Sequence, residues 1–504
     1  MTKTEGKNIE AGKGTIRDVI APRIAELVTS RRTRDVRRRV YEIMRRASGR
    51  PHHVYYFHQV DDPYSHLSAQ LLEPLLERYD IELEVHLVGA PSDAAAPERD
   101  RLVAYSRVDA ARIAEARGLA YRDPGTQPHE NLARLATREL AAATSPRAFA
   151  SLAPRVGEAL WDGDEATIRS LARAQPGASG IDVDAVIAKG NALREKLGHY
   201  LGGVFCYAGE SYWGVDRLGY LERRLASLGA QRERGAPLLA PRMDVRGDRI
   251  DAANAAMTLE YFVSLRSPYT YISMPRTFDL AHHTGVTLKL RPVLPMVMRG
   301  LAVPAAKRWY ITMDSAREAQ SIGIPFGRIA DPVGRPVERG FSLYPYAVSK
   351  GRAAEYLFSF CRSAFSDGVP AGTDEGLRQV VEGAGLQWVE AFRHVDPDGW
   401  RPELEANRAA MFEAGLWGVP SYRLIGPAGE PDFVTWGQDR IWLVETGVQP
   451  NRLVGFDPKN SSWFSVTPIS KSGGGTVRHM VFHRPTRTIW FGTDANTIGR
   501  ASVP

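Results

Sequence analysis

Two matching turns in the sequence carry residues that could stabilise or repel a reactive anion. Ser267 precedes Pro268 in "SLRSPYTYISM", and Asp62 precedes Pro63 in "HQVDDPYSHLS", 205 positions earlier. Ser and Asp are favoured helix N-caps and Pro is favoured at the first helical position, so each turn predicts the start of a helix. A thiolate beside Ser267 would gain the helix dipole and a hydroxyl donor. A carboxylate at Asp62 would instead repel a thiolate.

The likeness between the two parts of the chain extends beyond these turns. "VYYFHQVDDPYSHLSA" (54–69) aligns with "LEYFVSLRSPYTYISM" (259–274) at an offset of 205. "SYWGVDRLGYLERRL" (211–225) aligns with "VTWGQDRIWLVETGV" (434–448) at an offset of 223. The sequence therefore predicts a tandem duplication, with about 18 more residues in the second copy, either in its helical middle or in the turn before its last strand.

Each copy has the same predicted order of elements. A β-rich run is followed by a helix, a second apolar strand, a long stretch of helical periodicity, two short strands and a final helix. This order predicts an α/β protein with two tandem thioredoxin-like domains, each with a helical insertion, and a short all-β C-terminal extension. The predicted divisions are a basic helical segment (1–50), a degenerate domain (51–230), a linker (231–256), a second domain (257–448) and a β-meander (449–504).

Motifs of the second copy resemble one protein family. "SPYTYI", "LRPVLP", "GLWGVPSYRLI" and "WGQDRI" occur in family order across residues 258–448, and residues 52–230 match more loosely. The chain resembles the DsbA-like thioredoxin superfamily, and within it the branch of 2-hydroxychromene-2-carboxylate isomerases and kappa-class glutathione transferases. The resemblance implies glutathione as the cofactor, while a shared fold leaves the substrate undetermined.

The resemblance also implies roles for single residues. Ser267 stands where redox relatives have their first cysteine, and it would hold the glutathione sulfur as a thiolate; the alternative is that Ser267 is a cap only. Val419 and Pro420 match a loop with a cis-proline, whose backbone edge would pair with the cysteinyl part of glutathione.

Three further residues are candidates for binding glutathione. Asp439, with its neighbour Gln438, would meet the γ-glutamyl amine, and Lys307 would lie near the glycine carboxylate. Asp439 could also cap the last helix, a role compatible with ligand binding and the one expected of its counterpart Asp216 in the first copy. Lys307 could instead be a surface lysine.

The first copy lacks the features that this chemistry needs. Asp62 replaces the serine, and the late turn around Gly202 and Gly203 has no proline. We therefore expect the first copy to be a scaffold that covers or pairs with the second. An alternative acid–base or metal site would use a group of four nearby residues: His58, Asp61, Asp62 and His66. Strand alternation should scatter these side chains over both faces of the sheet.

Cysteine usage excludes some classes of function. The chain has two cysteines, Cys206 and Cys361, and no Cys-x-x-Cys motif. A disulfide framework and a zinc site are therefore excluded, no metal is predicted, and a dithiol oxidoreductase becomes the less favoured function. No run of about 18 apolar residues or apolar signal region occurs, so a cytoplasmic protein is expected.

The positive charge is local. The net charge is +7 for the chain and +8 for residues 1–50. Arginine-rich sequence there carries an apolar stripe at helical spacing: Val36, Val40, Ile43, Met44 and Ala47. We expect this helix to pack on the protein through the stripe; contact with an anionic membrane or with RNA is the alternative. The remaining sequence is close to neutral, and we expect no nucleic-acid partner.

The C-terminal 56 residues have a different sequence pattern from the rest of the chain. "NRLVGFDP", "GGGTVRHM" and "TIWFGTDANTIGR" resemble blades of virginiamycin B lyase-type β-propellers. A propeller needs at least four blades, so this segment would be a remnant.

Taken with the resemblance, these features favour a glutathione-dependent isomerase or transferase that acts on a small aromatic or other electrophilic substrate. The alternative is a non-catalytic thioredoxin-fold protein that serves binding or assembly.

Overall fold

The computed structural model describes residues 14–173, 180–245, 257–426, 432–448, 452–457, 462–468, 477–493 and 498–502. Two helices lead the chain: α1 (Ile16–Thr29) and α2 (Arg31–Ala47). We call residues 51–230 the first unit. Its elements are β1 (His53–His58), α3 (Pro63–Ala69), α4 (Leu72–Arg78), β2 (Glu82–Leu87), α5 (Arg99–Arg117), α6 (Glu130–Ala141), α7 (Pro146–Trp161), α8 (Glu165–Arg173), α9 (Val183–Lys196), β3 (Val204–Tyr207), β4 (Glu210–Trp213) and α10 (Gly214–Ser227).

Residues 257–448 form the second unit. Its elements are β5 (Thr258–Val263), α11 (Pro268–Thr284), β6 (Thr287–Pro292), α12 (Ala305–Ser321), α13 (Arg335–Ser349), α14 (Ala353–Phe365), α15 (Asp374–Gly383), α16 (Trp388–Phe392), α17 (Arg401–Glu413), β7 (Ser421–Ile425), β8 (Phe433–Trp436) and α18 (Ile441–Val448). Each unit encloses its own hydrophobic core; Tyr56 and Leu218 are fully buried in the first, and Tyr261 and Phe360 in the second.

The two units contain sheets of the same topology. The strand orders are β2-β1-β3-β4 and β6-β5-β7-β8, with one parallel pair followed by two antiparallel pairs. The parallel registers also agree, since His53 faces Glu82 and Thr258 faces Thr287. Both sheets are thioredoxin-like, and the helices between the second and third strands form the predicted insertion.

The extra length of the second unit lies in two places. Phe57 faces Val204 and Phe262 faces Ser421, so the offset between equivalent residues has risen from 205 to 217 by the third strand. Trp213 and Trp436 end the fourth strands at an offset of 223. Twelve residues are therefore added in the helical insertion and six in the turn before the last strand.

The N-terminal segment differs from the expectation. It holds two helices, and the stripe on α2 faces solvent: Val36, Val40, Ile43 and Met44 are 50–67% exposed. The prediction that this stripe packs on the protein is wrong, because α2 turns its polar side toward the first unit. None of the helices in the described ranges is long and apolar enough to cross a membrane.

The described part of the predicted linker is packed against both units. Gln231 pairs with Tyr79 in the first unit, and Arg242 donates to Glu318 in the second at 2.7 Å. Residues 246–256 lie outside the described residues. The C-terminal segment forms a hairpin, β9 (Arg452–Asp457) and β10 (Ser462–Pro468), and an antiparallel sheet of β11 (Val477–His483), β12 (Thr488–Thr493) and β13 (Ile498–Ser502). Its likeness to a propeller blade stays a prediction.

Candidate functional site

A cavity of about 740 Å³ lies between the two units. The N-terminal turns of α3 and α11 both reach it, so Asp62 and Ser267 line the same space. The second unit adds an apolar wall that includes Leu294, Val303 and Ile311. A mostly apolar cleft with a few polar groups is the usual form of a small-molecule site.

Ser267 is the N-cap of α11, as predicted. Its Oγ accepts a hydrogen bond from the Thr270 amide at 3.1 Å, and it lies 3.5 Å from the Val419 carbonyl oxygen, to which it can donate. The Val419–Pro420 peptide bond is cis, as the resemblance implies. Ser267 and this loop therefore meet at the cavity wall, where α11 presents its positive end.

Asp62 is the N-cap of α3, also as predicted. One carboxylate oxygen accepts from the Ser65 amide at 2.9 Å and from the Ser65 hydroxyl at 2.6 Å. Burial raises the pKa of Asp62 to about 6, although the hydrogen bonds from Ser65 oppose the shift. At neutral pH this carboxylate is largely ionised, which makes its end of the cavity unfavourable for a second anion.

Gly202 and Gly203 occupy the places of Val419 and Pro420 in the first unit. They leave little room, because a Cβ atom added at Gly202 would lie 2.5 Å from the Gln59 Cβ and 2.7 Å from the Ser65 Oγ. Gly203 also has a φ of +64°, in the left-handed region that favours glycine. The first unit thus packs its late turn tightly against α3, where the second unit has a proline loop.

A reciprocal network of buried ion pairs forms part of the cavity wall. Arg217 of the first unit donates to both oxygens of Asp314 in the second, at 2.8–3.0 Å. Arg440 of the second unit donates to Asp109 of the first, at 2.7 and 2.9 Å. The network repeats at offsets of 205 for the aspartates and 223 for the arginines. Sequence reasoning missed it, although an arginine ends both Trp-Gly-x-Asp-Arg motifs.

Asp439 belongs to this network and does not cap a helix. Its Oδ2 accepts from Arg217 at 2.9 Å, and its Oδ1 accepts from the Gln438 side chain. Asp216 likewise accepts from Arg440 at 2.8 Å. The predicted capping roles are therefore wrong. Asp216 lies in the first turn of α10 and Asp439 in a 3₁₀ turn (Gln438–Arg440), and neither of these elements has a side-chain cap. Burial raises the pKa of Asp439 to about 6, against the opposing charge of Arg217.

Gln438 is buried and its amide is fully engaged. Its nitrogen donates to Glu318 at 2.9 Å, and its oxygen accepts from Arg276 at 3.2 Å. Gln438 therefore orients Asp439 and leaves no amide group free for direct contact with a ligand.

Lys307 lines the cavity but is tied to the other unit. Its Nζ donates to the Ala95 carbonyl oxygen at 2.8 Å and lies 5.9 Å from the ring centre of Trp417. Burial lowers the pKa of Lys307 to about 8, so it is mostly protonated at neutral pH. It is a partly buried cation at the cavity wall, not the exposed surface lysine of the alternative.

Three buried polar atoms on the cavity wall have no hydrogen-bond partner within the described structure. They are Ser264 Oγ, Tyr310 OH and Trp417 Nε1. Buried polar groups are almost always paired, so unpaired ones beside a cavity are available to bind a ligand or water there. Sequence reasoning missed them, because nothing in a single sequence distinguishes a paired tyrosine from an unpaired one.

The alternative acid–base or metal site is wrong. His58 contacts Tyr56 inside the core, and His66 faces the Ala120 carbonyl oxygen, away from the cavity. Burial lowers the pKa of His58 to about 3 and that of His66 to about 4, so both are neutral. Among the described residues no group of His, Cys, Asp and Glu could hold a metal ion.

Comparisons with known proteins give matches to part of the chain. The curated 2-hydroxychromene-2-carboxylate isomerase of Pseudomonas putida is 24% identical over 201 residues, which are 38% of this chain and 94% of the isomerase. A solved structure of such an isomerase has a TM-score of 0.32 at 20% identity and covers 38% of this chain and 93% of its own.

A third similar protein is the cytosolic disulfide reductase DsbM of Pseudomonas aeruginosa, solved with GSH. It has a TM-score of 0.28 at 19% identity and covers 38% of this chain and 98% of its own. The family model of the DSBA-like thioredoxin domain matches residues 258–449. The part of the chain that carries Ser267 and the cis-proline loop is therefore a DsbA-like thioredoxin domain.

Proposed function

We propose that the second unit binds glutathione with its sulfur against Ser267, and that the protein is a glutathione-dependent isomerase or transferase. The observation that carries the proposal is the position of Ser267 Oγ at the N-terminus of α11, 3.5 Å from the Val419 carbonyl oxygen. A hydrogen bond of that length is weak, so the hydroxyl can donate to a thiolate instead, and a charge-assisted bond is stronger. The likeness to the Pseudomonas putida isomerase supports this choice of chemistry.

The residues at the cavity fit the groups of glutathione. An ammonium group suits Asp439, which Gln438 orients, and a carboxylate suits the cation of Lys307. The unpaired Tyr310 OH and Trp417 Nε1 can donate to further oxygens. The cis Val419–Pro420 loop offers its backbone edge to the cysteinyl part of the peptide.

When bound, glutathione supplies a sulfur nucleophile for reversible addition to an electrophilic substrate. Ser267 and the helix dipole lower the cost of ionising that thiol by stabilising the anion. The apolar wall, including Leu294 and Ile311, excludes water and accepts an aromatic or otherwise apolar substrate. Substrate and cofactor would meet between the two units.

In this proposal the first unit is a scaffold that arose with the second by tandem duplication. The equal strand registers and the reciprocal ion pairs support that origin, because both repeat at the offsets that align the two parts of the sequence, 205 and 223. The pair of units would then stand in for a homodimer of single-copy relatives. The cytoplasm, where glutathione is abundant and reduced, is the proposed compartment.

The chain's own cysteines do not favour dithiol chemistry. Cys206 and Cys361 are both buried and belong to different units. Burial raises the pKa of Cys206 to about 11 and that of Cys361 further, so neither forms a thiolate at neutral pH. An oxidoreductase reaction would therefore need glutathione as well.

Ultraviolet absorbance of bound glutathione tests the proposal. We expect the thiol pKa to fall when glutathione binds the full chain, and to return toward its free value in Ser267→Ala. Ser145→Ala is the matched control, because Ser145 caps α7 through the Ala148 amide at 3.1 Å but does not line the cavity. Both variants lose one N-cap, at about 1 kcal/mol.

Two results would contradict the proposal. If glutathione neither binds nor raises the melting temperature, the non-catalytic alternative is favoured. If it binds with an unshifted thiol pKa, or if Ser145→Ala changes that pKa as much as Ser267→Ala does, Ser267 does not stabilise the thiolate.

A further inference from the structure

The two N-terminal helices expose apolar surface that amphipathic helices normally bury. On α2, Val36 and Val40 are about half exposed, Ile43 is 67% exposed and Met44 is 59% exposed. We call these four residues the exposed stripe. On α1, one face at helical spacing is also exposed: Ile16, Val19, Ile20, Ile24 and Leu27. An exposed apolar face of this extent on a helix marks an interaction site.

Helix α2 is fixed in this orientation by its polar side. Arg38 donates to both carboxylate oxygens of Glu210 at 2.7 and 2.6 Å, and the Tyr41 ring packs edge-on against Tyr207 at 5.9 Å. Glu42 is buried between the helix and the first unit and accepts hydrogen bonds from Arg45. The first unit thus binds the charged side of the helix and leaves the apolar side uncovered.

Exposed arginines border the stripe on both sides. At 100° per residue, Arg37 lies on one side of the stripe, and Arg32, Arg39 and Arg46 lie on the other. Helix α2 has seven arginines beyond residue 31 and two acids, of which Glu42 is already paired. The surface is therefore an apolar stripe with a cationic border.

We propose that α2, supported by α1, binds the surface of an anionic membrane. The stripe would enter the headgroup–acyl boundary, and the bordering arginines would meet lipid phosphates and carboxylates. A second copy of this chain is the less suitable occupant, because it would bring two cationic borders together. Docking through α2 would hold the cavity of the same chain near a membrane, where apolar substrates collect.

Co-sedimentation of the full chain with lipid vesicles tests this. We expect binding to phosphatidylcholine vesicles that contain phosphatidylserine, little binding to phosphatidylcholine alone, and weaker binding at high salt. Arg37→Gln with Arg39→Gln should lower the partition coefficient by roughly fivefold for each arginine. Val40→Ser with Ile43→Ser should lower it by at least about tenfold.

Val389→Ser is the matched control, since Val389 on α16 is 64% exposed and distant from α2 in the sequence. It should leave vesicle binding unchanged, and the melting temperatures of all variants should match that of the parent. The proposal is overturned if the parent does not bind anionic vesicles, or if the protein with Val40→Ser and Ile43→Ser binds them as strongly as the parent does. It is also overturned if light scattering reveals a dimer that Val40→Ser with Ile43→Ser dissociates while no vesicles are bound.

Discussion

The Arg217 guanidinium lies against both oxygens of the Asp314 carboxylate, and both side chains are almost completely buried. The two residues are 97 positions apart and belong to different units, so this pair joins the units directly. Its counterpart, Arg440 with Asp109, runs in the reverse direction across the same interface. The units cannot separate without exposing both pairs, and the interface therefore fixes the shape of the cavity between them.

Removing one cation from this interface should destabilise the protein strongly. Arg217→Met removes the cation that Asp314 and Asp439 share. Arg317 still donates to Asp314 at 3.2 Å, but Asp439 keeps an uncompensated buried charge, which costs about 3–5 kcal/mol. Urea unfolding measures the loss. The control is Lys350→Met, which breaks an exposed pair with Glu390 and should have no measurable effect. Equal losses in the two variants would contradict a buried, charge-dependent interface.

Acid should weaken the same interface. Burial favours the neutral form of Asp216, but Arg440 and Arg117 outweigh it and lower the pKa of Asp216 to about 2. A carboxyl group with a depressed folded-state pKa stabilises the protein above its ordinary pKa, near 4, and loses that contribution as the pH falls toward 2. We expect the free energy of unfolding to decline over this window, and less steeply in Asp216→Asn. If the free energy of unfolding declines equally in the parent and in Asp216→Asn, Asp216 does not contribute to the loss of stability in acid.

Asp62 should have the opposite pH dependence. Burial raises its pKa to about 6, so the folded state binds the proton more tightly than the unfolded state and stability falls as the pH rises from about 4 to 6. Asp62→Asn keeps an N-cap and should stabilise the protein at neutral pH by about 1–3 kcal/mol, with little gain at pH 4. Asp182→Asn, at the exposed N-cap of α9, is the control for replacing a charged N-cap outside the cavity. If Asp62→Asn stabilises the protein equally at both pH values, the raised pKa of Asp62 is contradicted.

Two equivalent tyrosines should respond differently to loss of their hydroxyls. Tyr105 OH is bonded to Trp436 and Thr435 of the second unit at 2.6–3.1 Å, whereas the Tyr310 OH has no partner among the described residues. Tyr105→Phe should therefore cost about 1–3 kcal/mol in chemical unfolding, while Tyr310→Phe should be neutral or stabilising. Only Tyr310→Phe should weaken glutathione binding in a calorimetric titration. Unchanged binding would remove Tyr310 from the site.

The sequence predicted the features that depend on local pattern. Both N-caps, Asp62 and Ser267, follow from residue preferences over four positions, and the strands follow from short apolar runs. The resemblance supplied the cis-proline loop. The sequence did not predict which face of α2 is uncovered, because periodicity defines an apolar stripe without indicating its partner. Arg217 and Asp314 were missed for a related reason: a pair of distant charges becomes visible only when the two units are packed together.

Glutathione binding should strengthen as the pH rises through about 6. Asp439 must be ionised to accept the ammonium group, and burial raises its pKa to about 6 while Arg217 opposes the shift. Below that pH the protonated carboxyl loses the charge that attracts the ammonium. A calorimetric pH series on the full chain should therefore give tighter binding at pH 7 than at pH 5.

Asp439→Asn should weaken binding and remove most of this pH dependence. Asp216→Asn is the matched control. Asp216 accepts a hydrogen bond from Arg440 just as Asp439 accepts one from Arg217, but Asp216 does not line the cavity. It disturbs the ion-pair network in the same way, so it should lower stability yet retain the pH profile of binding. If both variants keep the profile of the parent, another group controls it and Asp439 acts only at the interface. If both lose the profile, the network controls binding through the shape of the cavity, without direct contact between Asp439 and the ligand.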